Sequence, residues 1–223
     1  MTPPAVCAII PAHNAERFVR EAIESVLAQS IPVELIVVND GSTDATASII
    51  DSYGRDVRAI HQERRGLGGA RNRGIQASRA NWIAFLDADD RWMPDKLEYQ
   101  TAVLAARSDV DMVFGHCVEF SVPEGDCRWR VRTDPFPAYS ACAALVRRAL
   151  LDRVGAFSES GKLGEFIDWY ARAQESGARS AMLDRVVFHR RVHDANMTRT
   201  SDGMREQYLD VIRGHLERQR LPK

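Results

Sequence analysis

The first 90 residues carry the feature that most limits what this chain can become. Short apolar runs at 6–11, 35–38, 57–61 and 82–86 alternate with segments of helical spacing. Runs this short and continuously apolar suit strands buried on both faces, as in a parallel sheet. Between them, residues 15–29 place Phe18, Ala22, Val26 and Leu27 at helical intervals. Thr43 or Asp44 stands where a cap would start a second helix carrying Ala47, Ile49 and Ile50. Gly66, Gly68 and Gly69 lead into a third helix over 71–80. The βαβαβαβ order predicts an α/β fold: a mostly parallel, twisted, Rossmann-like sheet flanked by helices, with ligands at the carboxyl ends of its strands. The polar clusters fall there, since His13-Asn14, Asn39-Asp40 and Asp87-Ala88-Asp89-Asp90 each follow a strand directly.

The second half is less regular. Residues 95–107 have helical spacing, with Pro94 near the first turn. Strands are expected at 112–120 and 129–131, around a turn at 122–125. Residues 143–154 read as a helix, 158–164 as a Gly- and Ser-rich loop, 165–176 as a helix and 181–190 as a last strand. A terminal helix over 203–220 puts Met204, Tyr208, Ile212 and Leu216 on one stripe. There is no internal repeat and no linker long enough to divide the chain, so its 223 residues are expected to form a single domain.

Composition narrows the function classes. With 30 Lys and Arg against 31 Asp and Glu, the net charge of −1 gives no reason to expect a nucleic-acid partner. Cys7, Cys117, Cys127 and Cys142 form no CxxC pair and have no His at ligand spacing, which argues for reduced, mostly buried thiols and against zinc. No apolar stretch approaches the ~18 residues of a transmembrane segment. The N-terminus lacks basic residues ahead of its short apolar run and reads as a first strand, not a signal peptide. A cytoplasmic enzyme is the expectation.

Three segments carry candidate chemistry. Asp87, Asp89 and Asp90 crowd the end of the buried run Ile83-Ala84-Phe85-Leu86, where like charges repel and a divalent cation would relieve them. Hard oxygen donors suit Mg²⁺ or Mn²⁺. An isolated DxD is more often a surface turn; the preceding buried strand tips this one toward metal. Asp40, at a strand's carboxyl end, can accept hydrogen bonds from a base or ribose. Gly66-Leu67-Gly68-Gly69-Ala70-Arg71 opens a helix whose backbone N–H groups can meet a phosphate or a neighbouring ring. It is not the dinucleotide fingerprint, because the third glycine would fall at Arg71.

Taken together, Ile9-Ile10-Pro11-Ala12-His13-Asn14, Val37-Val38-Asn39-Asp40-Gly41-Ser42-Thr43-Asp44, Gly69-Ala70-Arg71-Asn72-Arg73-Gly74 and Phe85-Leu86-Asp87-Ala88-Asp89-Asp90 closely resemble the inverting family-2 glycosyltransferases over roughly residues 5–200. The resemblance implies a GT-A fold and a nucleoside diphosphate sugar donor, with a UDP-sugar favoured. It implies a nucleotide-sugar-binding half over 1–107, an acceptor-binding half over 108–200 and a C-terminal helix over 201–223. Pro11, Ala12, His13 and Asn14 would line the nucleobase pocket, Asp40 would contact the base, and Arg71 would lie nearby. Asp87 would contact the ribose, with Ala88 also at the donor. Asp89 would bind the metal, to which His193, in Arg190-Arg191-Val192-His193-Asp194-Ala195-Asn196, adds a contact.

The acceptor side departs from the family pattern. Val154-Gly155-Ala156-Phe157 matches it and Glu165 matches its Glu, but the usual catalytic Asp is Phe166 here. Asp168 is the first candidate base and Glu165 the second, three residues apart on one helical face. The competing bland reading is a solvated face, or pairing with Arg172. The implied reaction is metal-dependent transfer of a sugar, with inversion, to a lipid-linked, peptide or small-molecule acceptor. The alternative left by Phe166 is a nucleotide-sugar-binding pseudoenzyme or regulatory partner. Arg213, Arg218, Arg220 and Lys223 on the terminal helix leave peripheral membrane contact open, although such a stripe more often packs on its own domain.

Overall fold

A computed structural model describes residues 5–122, 130–159, 164–194 and 196. The sheet among them has the order β3-β2-β1-β4-β8-β6-β9-β5, with β7 paired to β6. Its parallel part is the alternating N-terminal half: β1 (Val6–Ala12) lies between β2 (Glu34–Asp40) and β4 (Trp82–Phe85), and β3 (Arg58–Gln62) continues beyond β2. All seven residues of β1 are buried, as a parallel strand covered on both faces requires. Beyond β4 the sheet is mixed. β8 (Leu145–Arg147) runs antiparallel to β4 and to β6 (Met112–Ser121), and β9 (Ser180–Val192) runs parallel to β6. β5 (Arg91–Trp92) pairs antiparallel with β9, and β7 (Phe136–Ala138) with β6.

The chain steps from β1 through α1 (Val19–Leu27) to β2 and through α2 (Thr46–Asp51) to β3, then returns through α3 (Gly66–Ala77) to β4 on the other side of β1. Right-handed crossovers therefore put α1 and α2 on one face and α3 on the other. The strand order reverses between β1 and β4, and beyond the carboxyl ends at such a switch point open α/β sheets bind their ligands. Residues 11–14 and 87–90 flank this point.

Several elements differ from the sequence expectation. Helix α3 begins at Gly66, not residue 71, so the glycine segment is its first turn. Two glycines of this helix, Gly68 and Gly74, have packing reasons. A Cβ on Gly68 would come within 2.0 Å of the Ser158 carbonyl oxygen, and one on Gly74 within 2.4 Å of the Ile9 side chain. Residues 143–154 are not one helix: Leu145–Arg147 form β8, taken up by hydrogen bonding to β4 and β6, and only Arg148–Val154 are helical (α5). The strand expected at 129–131 is absent at 130 and 131, and β7 appears further on. Trp129, Cys127 and the terminal helix lie outside the described residues. Cys7, Cys117 and Cys142 are free and buried.

One polar group sits deep in this core. Lys96, on α4 (Lys96–Ala106), is fully buried, donates from Nζ to Gln100 Oε1 at 2.6 Å, and lies over the Trp92 ring at 4.6 Å. Burial lowers its pKa to about 7, against an ordinary 10.5. Above pH 7 the folded chain therefore holds fewer protons than the unfolded one, and stability rises with pH until the unfolded lysine titrates, by up to ~1.4 kcal/mol per pH unit. Below pH 7 the full cost of the buried charge is present. Lys96→Met is expected to raise the melting temperature at pH 7 and to flatten its rise between pH 7 and 9. The net gain is about 1–3 kcal/mol after allowance for the undonated Gln100 oxygen. A pH-independent melting temperature in the parent chain would contradict this account.

Candidate active site

The candidate site beyond these strand ends is built from the segments that follow β1, β2, β4 and β9 and from the starts of two helices. At its β2 wall, the Asp40 carboxylate accepts from the backbone N–H of Arg65 (2.8 Å) and Gly66 (2.8 Å) and from Gln62 Nε2 (2.7 Å). Asp40 thus caps α3: its negative charge sits at the helix N-terminus, in the place where the sequence allows a phosphate. The loop after β1 is tied to the loop after β2. His13 Nδ1 donates to the Asp40 carbonyl (2.8 Å), Asn14 N–H to Ser42 Oγ (3.0 Å), and Thr43 N–H to Asn14 Oδ1 (2.8 Å). Asn14 adopts the left-handed conformation (φ 47°), which Asn tolerates better than most residues and which lets its amide reach back. Pro11 and Ala12 are buried at the end of β1.

Arg71 joins the two sides of the site. Its side chain is 2% exposed, and Nη2 donates to Asp87 Oδ1 at 2.8 Å while Nη1 donates to Glu165 Oε1. Glu165 opens helix α6 (Glu165–Glu175), and its side chain is only 7% exposed. The guanidinium lies beside the edge-on pair Phe85–Phe157, at 5.7 Å and 6.0 Å from their ring centroids. Burial opposes its charge, but Glu165 and then Asp87 outweigh that and hold its pKa above the ordinary value. Asp168 is placed differently. Its carboxylate accepts from Arg172 Nε at 2.9 Å, and Arg172 Nη1 and Nη2 donate to the Val154 and Ala156 carbonyls, both at 2.8 Å. Phe166 is buried among Phe157, Trp169 and Tyr170.

The acidic loop after β4 meets the segment after β9. Asp89 Oδ2 accepts from His193 Nε2 and from Asn196 Nδ2, each at 3.0 Å. Asn196 Oδ1 in turn accepts the His193 N–H at 2.7 Å, which fixes the turn that aims the imidazole. Arg191 N–H donates to Asp90 Oδ1 (2.8 Å) and Arg191 Nε to the Asp89 carbonyl (2.8 Å). Asp90 is buried, and its pKa is pushed well above the carboxylate range by that burial and by the charges of Asp89 and Asp87.

These residues fit a divalent cation. Two ligands in adjacent positions around an octahedral ion at ~2.1 Å lie about 3 Å apart, the separation of His193 Nε2 and Asp89 Oδ2 (3.0 Å); with a cation there the imidazole would carry its proton on Nδ1 and the ion would replace the hydrogen bond. Carboxylate and imidazole together suit Mn²⁺ as well as Mg²⁺. A second set, Asp87, Asp90 and Cys142, brings donor atoms within 4.8 Å of one another. It is the poorer one: Asp90 is engaged by Arg191, and burial raises the Cys142 thiol well above its ordinary pKa, so the thiolate that binds metal is disfavoured.

The structure therefore brings Asp87, Arg71 and Glu165 together, and Asp89 with His193, while Asp168 turns to Arg172. Sequence reasoning assigns no role to Cys142, whose Sγ accepts the Asp87 N–H at 3.4 Å, or to Gln62, which carries Asp40. Neither stands in a motif. Asn196 stands in the sequence only as a polar neighbour of His193, and an Asn side chain able to reclose its own turn is the signal available there.

Comparison with known proteins supplies the family. The sequence model of "Glycosyl transferase family 2" matches residues 7–158 and so ends ahead of Glu165 and His193. An uncharacterized glycosyltransferase of Rickettsia typhi is 32% identical over 233 residues, covering 96% of this chain and 72% of the relative. The putative glycosyltransferase EpsH of Bacillus subtilis is 37% identical over 124 residues, 54% of this chain and 36% of the relative. Among solved structures, S. aureus TarS in complex with UDP-GlcNAc has a TM-score of 0.77 at 21% identity, over 94% of this chain and 65% of that one. The mannosyltransferase PcManGT of Pyrobaculum calidifontis, in complex with GDP-Man and Mn²⁺, has a TM-score of 0.73 at 20% identity, over 100% and 66%. The two structural likenesses establish the GT-A fold, and the family match over most of the chain establishes the rest: this chain belongs to glycosyl transferase family 2 and is a glycosyltransferase.

Proposed function

We propose that this chain transfers a sugar from a nucleoside diphosphate sugar to an acceptor hydroxyl with inversion, with a UDP-sugar as the favoured donor. One observation carries the reading. Arg71 bridges Asp87, at the donor end of the site, and Glu165, at the opening of the acceptor-side helix. Support for the donor class comes from the complexes of similar fold, TarS with UDP-GlcNAc and PcManGT with GDP-Man. Free, buried thiols fit a reducing, cytoplasmic setting. No helix among the described residues is long and apolar enough to cross a membrane.

Glu165 is the preferred base. Both carboxylates face an arginine, Asp168 that of Arg172 and Glu165 that of Arg71; Glu165 is preferred for its position, because its arginine also holds the donor-side Asp87 whereas Arg172 is anchored on the 154–156 turn. In the proposed step the acceptor oxygen attacks the anomeric carbon from the face opposite the diphosphate. Glu165 takes the hydroxyl proton as the bond from that carbon to the phosphate oxygen breaks. Asp89 and His193 would hold the divalent cation. When bound, it supplies Lewis-acid stabilisation of the charge on the departing diphosphate.

The test is release of nucleoside diphosphate from a panel of UDP-, GDP- and dTDP-sugars, with and without Mn²⁺ or Mg²⁺. Metal-dependent release from one donor is expected. Glu165→Gln should lower it by about 10²–10⁴-fold, the usual weight of a general base, and Asp168→Asn by only a few-fold. No binding of any donor would overturn the reading. Phe166, buried in an aromatic cluster at the family's base position, favours one other reading, a donor-binding pseudoenzyme. Tight binding without release, in the presence of candidate acceptors, would select it.

A further inference from the structure

The proposed cation ligands Asp89 and His193 stand 104 residues apart in the chain, and the hydrogen bond that joins their side chains is one a bound cation would replace. Another contact must then keep the acidic loop in register with the end of β9. Arg191 makes it, and leaves the ligand atoms free. Its N–H donates to Asp90 Oδ1 and its Nε to the Asp89 carbonyl, both at 2.8 Å. Neither acceptor is an atom that would face the ion.

The arginine is itself held from two further elements. Nη2 donates to Glu21 Oε2 on α1 at 2.7 Å. The guanidinium carbon lies 4.6 Å from the ring centroids of both Phe18, just ahead of α1, and Phe120 on β6. The Phe18 ring is also 4.8 Å from the imidazole ring of His193, so one aromatic side chain rests against the arginine and the ligand histidine together. The Arg191 side chain is 6% exposed. A buried positive charge beside a cation site is costly unless it is paired, and Glu21 pairs it.

We infer that Arg191 is a positioning residue for the cation, acting through Asp89 and His193, and that Glu21 holds Arg191 in place. The inference rests on the metal-dependent reading of the site and deepens it by naming what sets the two ligands against each other. Arginine suits this task and lysine does not. A guanidinium carries Nε and Nη2 in one fixed plane, so a single side chain serves the Asp89 carbonyl and Glu21 at once while lying against the two rings. An ammonium keeps the charge and loses the fork.

The experiment is Mn²⁺ binding to the full chain, with the free ion measured by electron paramagnetic resonance and the bound ion by electron spin-echo modulation. The parent chain is expected to bind Mn²⁺ with a nitrogen modulation that His193→Gln removes. Arg191→Lys is expected to bind it about 10–100-fold more weakly, the usual effect of losing a group that orients a metal ligand. Glu21→Ala should weaken binding by at most about fivefold, the weight of a half-exposed ion pair. It should add nothing to Arg191→Lys, because it acts through the same side chain. Leu104→Ala, a truncation in the core on α4, is the control for stability: it should lower the melting temperature and leave Mn²⁺ affinity unchanged. Three results would each overturn the inference: Mn²⁺ affinity in Arg191→Lys equal to the parent's, additive losses in the Glu21→Ala and Arg191→Lys double variant, or an affinity that falls equally in Leu104→Ala. A parent chain that takes up no Mn²⁺ is a separate result, which removes the cation from the proposed function and this inference with it.

Discussion

Arg71→Met is expected to destabilise the chain by about 3–5 kcal/mol, the usual consequence of removing one partner from a buried ion pair, and to abolish donor turnover. Methionine keeps comparable apolar bulk against Phe85 and Phe157, so the loss is electrostatic more than a matter of volume. What remains is the Glu165 carboxylate, 7% exposed and without its guanidinium. Arg71→Lys keeps the charge but cannot span two carboxylates, so it should recover part of the stability and little of the turnover. Urea denaturation of Arg71→Met, Glu165→Gln and the double variant isolates the pair. The double variant should be less destabilised than Arg71→Met, because glutamine leaves no buried charge. Additive losses would show that Arg71 and Glu165 do not depend on one another, and the link from donor end to acceptor end would go with them.

How much of this is legible in the sequence follows from the range of each interaction. The seven buried residues of β1 and the carboxylates after β4 can be read locally, since a short apolar run that stops at a charge cluster marks a buried strand reaching a polar crevice. The start of α3 cannot. Glycines at 66, 68 and 69 argue against a helix on propensity. They are helical because Asp40 caps the turn from another strand and because the Ser158 carbonyl needs the space beside Gly68. The short strand β8 is hidden in the same way: Leu145 and Val146 sit in an apolar run that fits helix or strand, and pairing with β4 and β6 decides it. At the site, Asp89 and His193 are 104 residues apart, and in the sequence only family resemblance links them. Ranking Glu165 against Asp168 needs the arginine that each one faces, which is a fact of packing.

Asp89→Ala is expected to reduce metal-dependent turnover by about 10³-fold or more, corresponding to several kcal/mol of charge stabilisation at the leaving diphosphate. Its cost to the fold should be small. The Asp89 side chain is 30% exposed, and the contact that binds this loop to β9 is made by its backbone carbonyl, which accepts from Arg191 Nε and survives the substitution. Removing its charge also relieves buried Asp90, whose carboxyl is pushed up by burial first and by Asp89 next. Against this stand two lost hydrogen bonds, from His193 and Asn196. The melting temperature should therefore move by a few degrees while activity collapses, and that split separates a ligand from a structural carboxylate. Asp89→Asn sharpens the contrast, because its amide oxygen can still accept from His193 while its charge is gone. Activity lost in both variants assigns the effect to charge at the cation, and activity retained in Asp89→Asn assigns it to the turn at 193–196. Chelation with EDTA should bring the parent chain down to the level of Asp89→Ala and leave that variant unaffected. Full metal-dependent turnover in Asp89→Ala would transfer the cation to Asp87, Asp90 and Cys142.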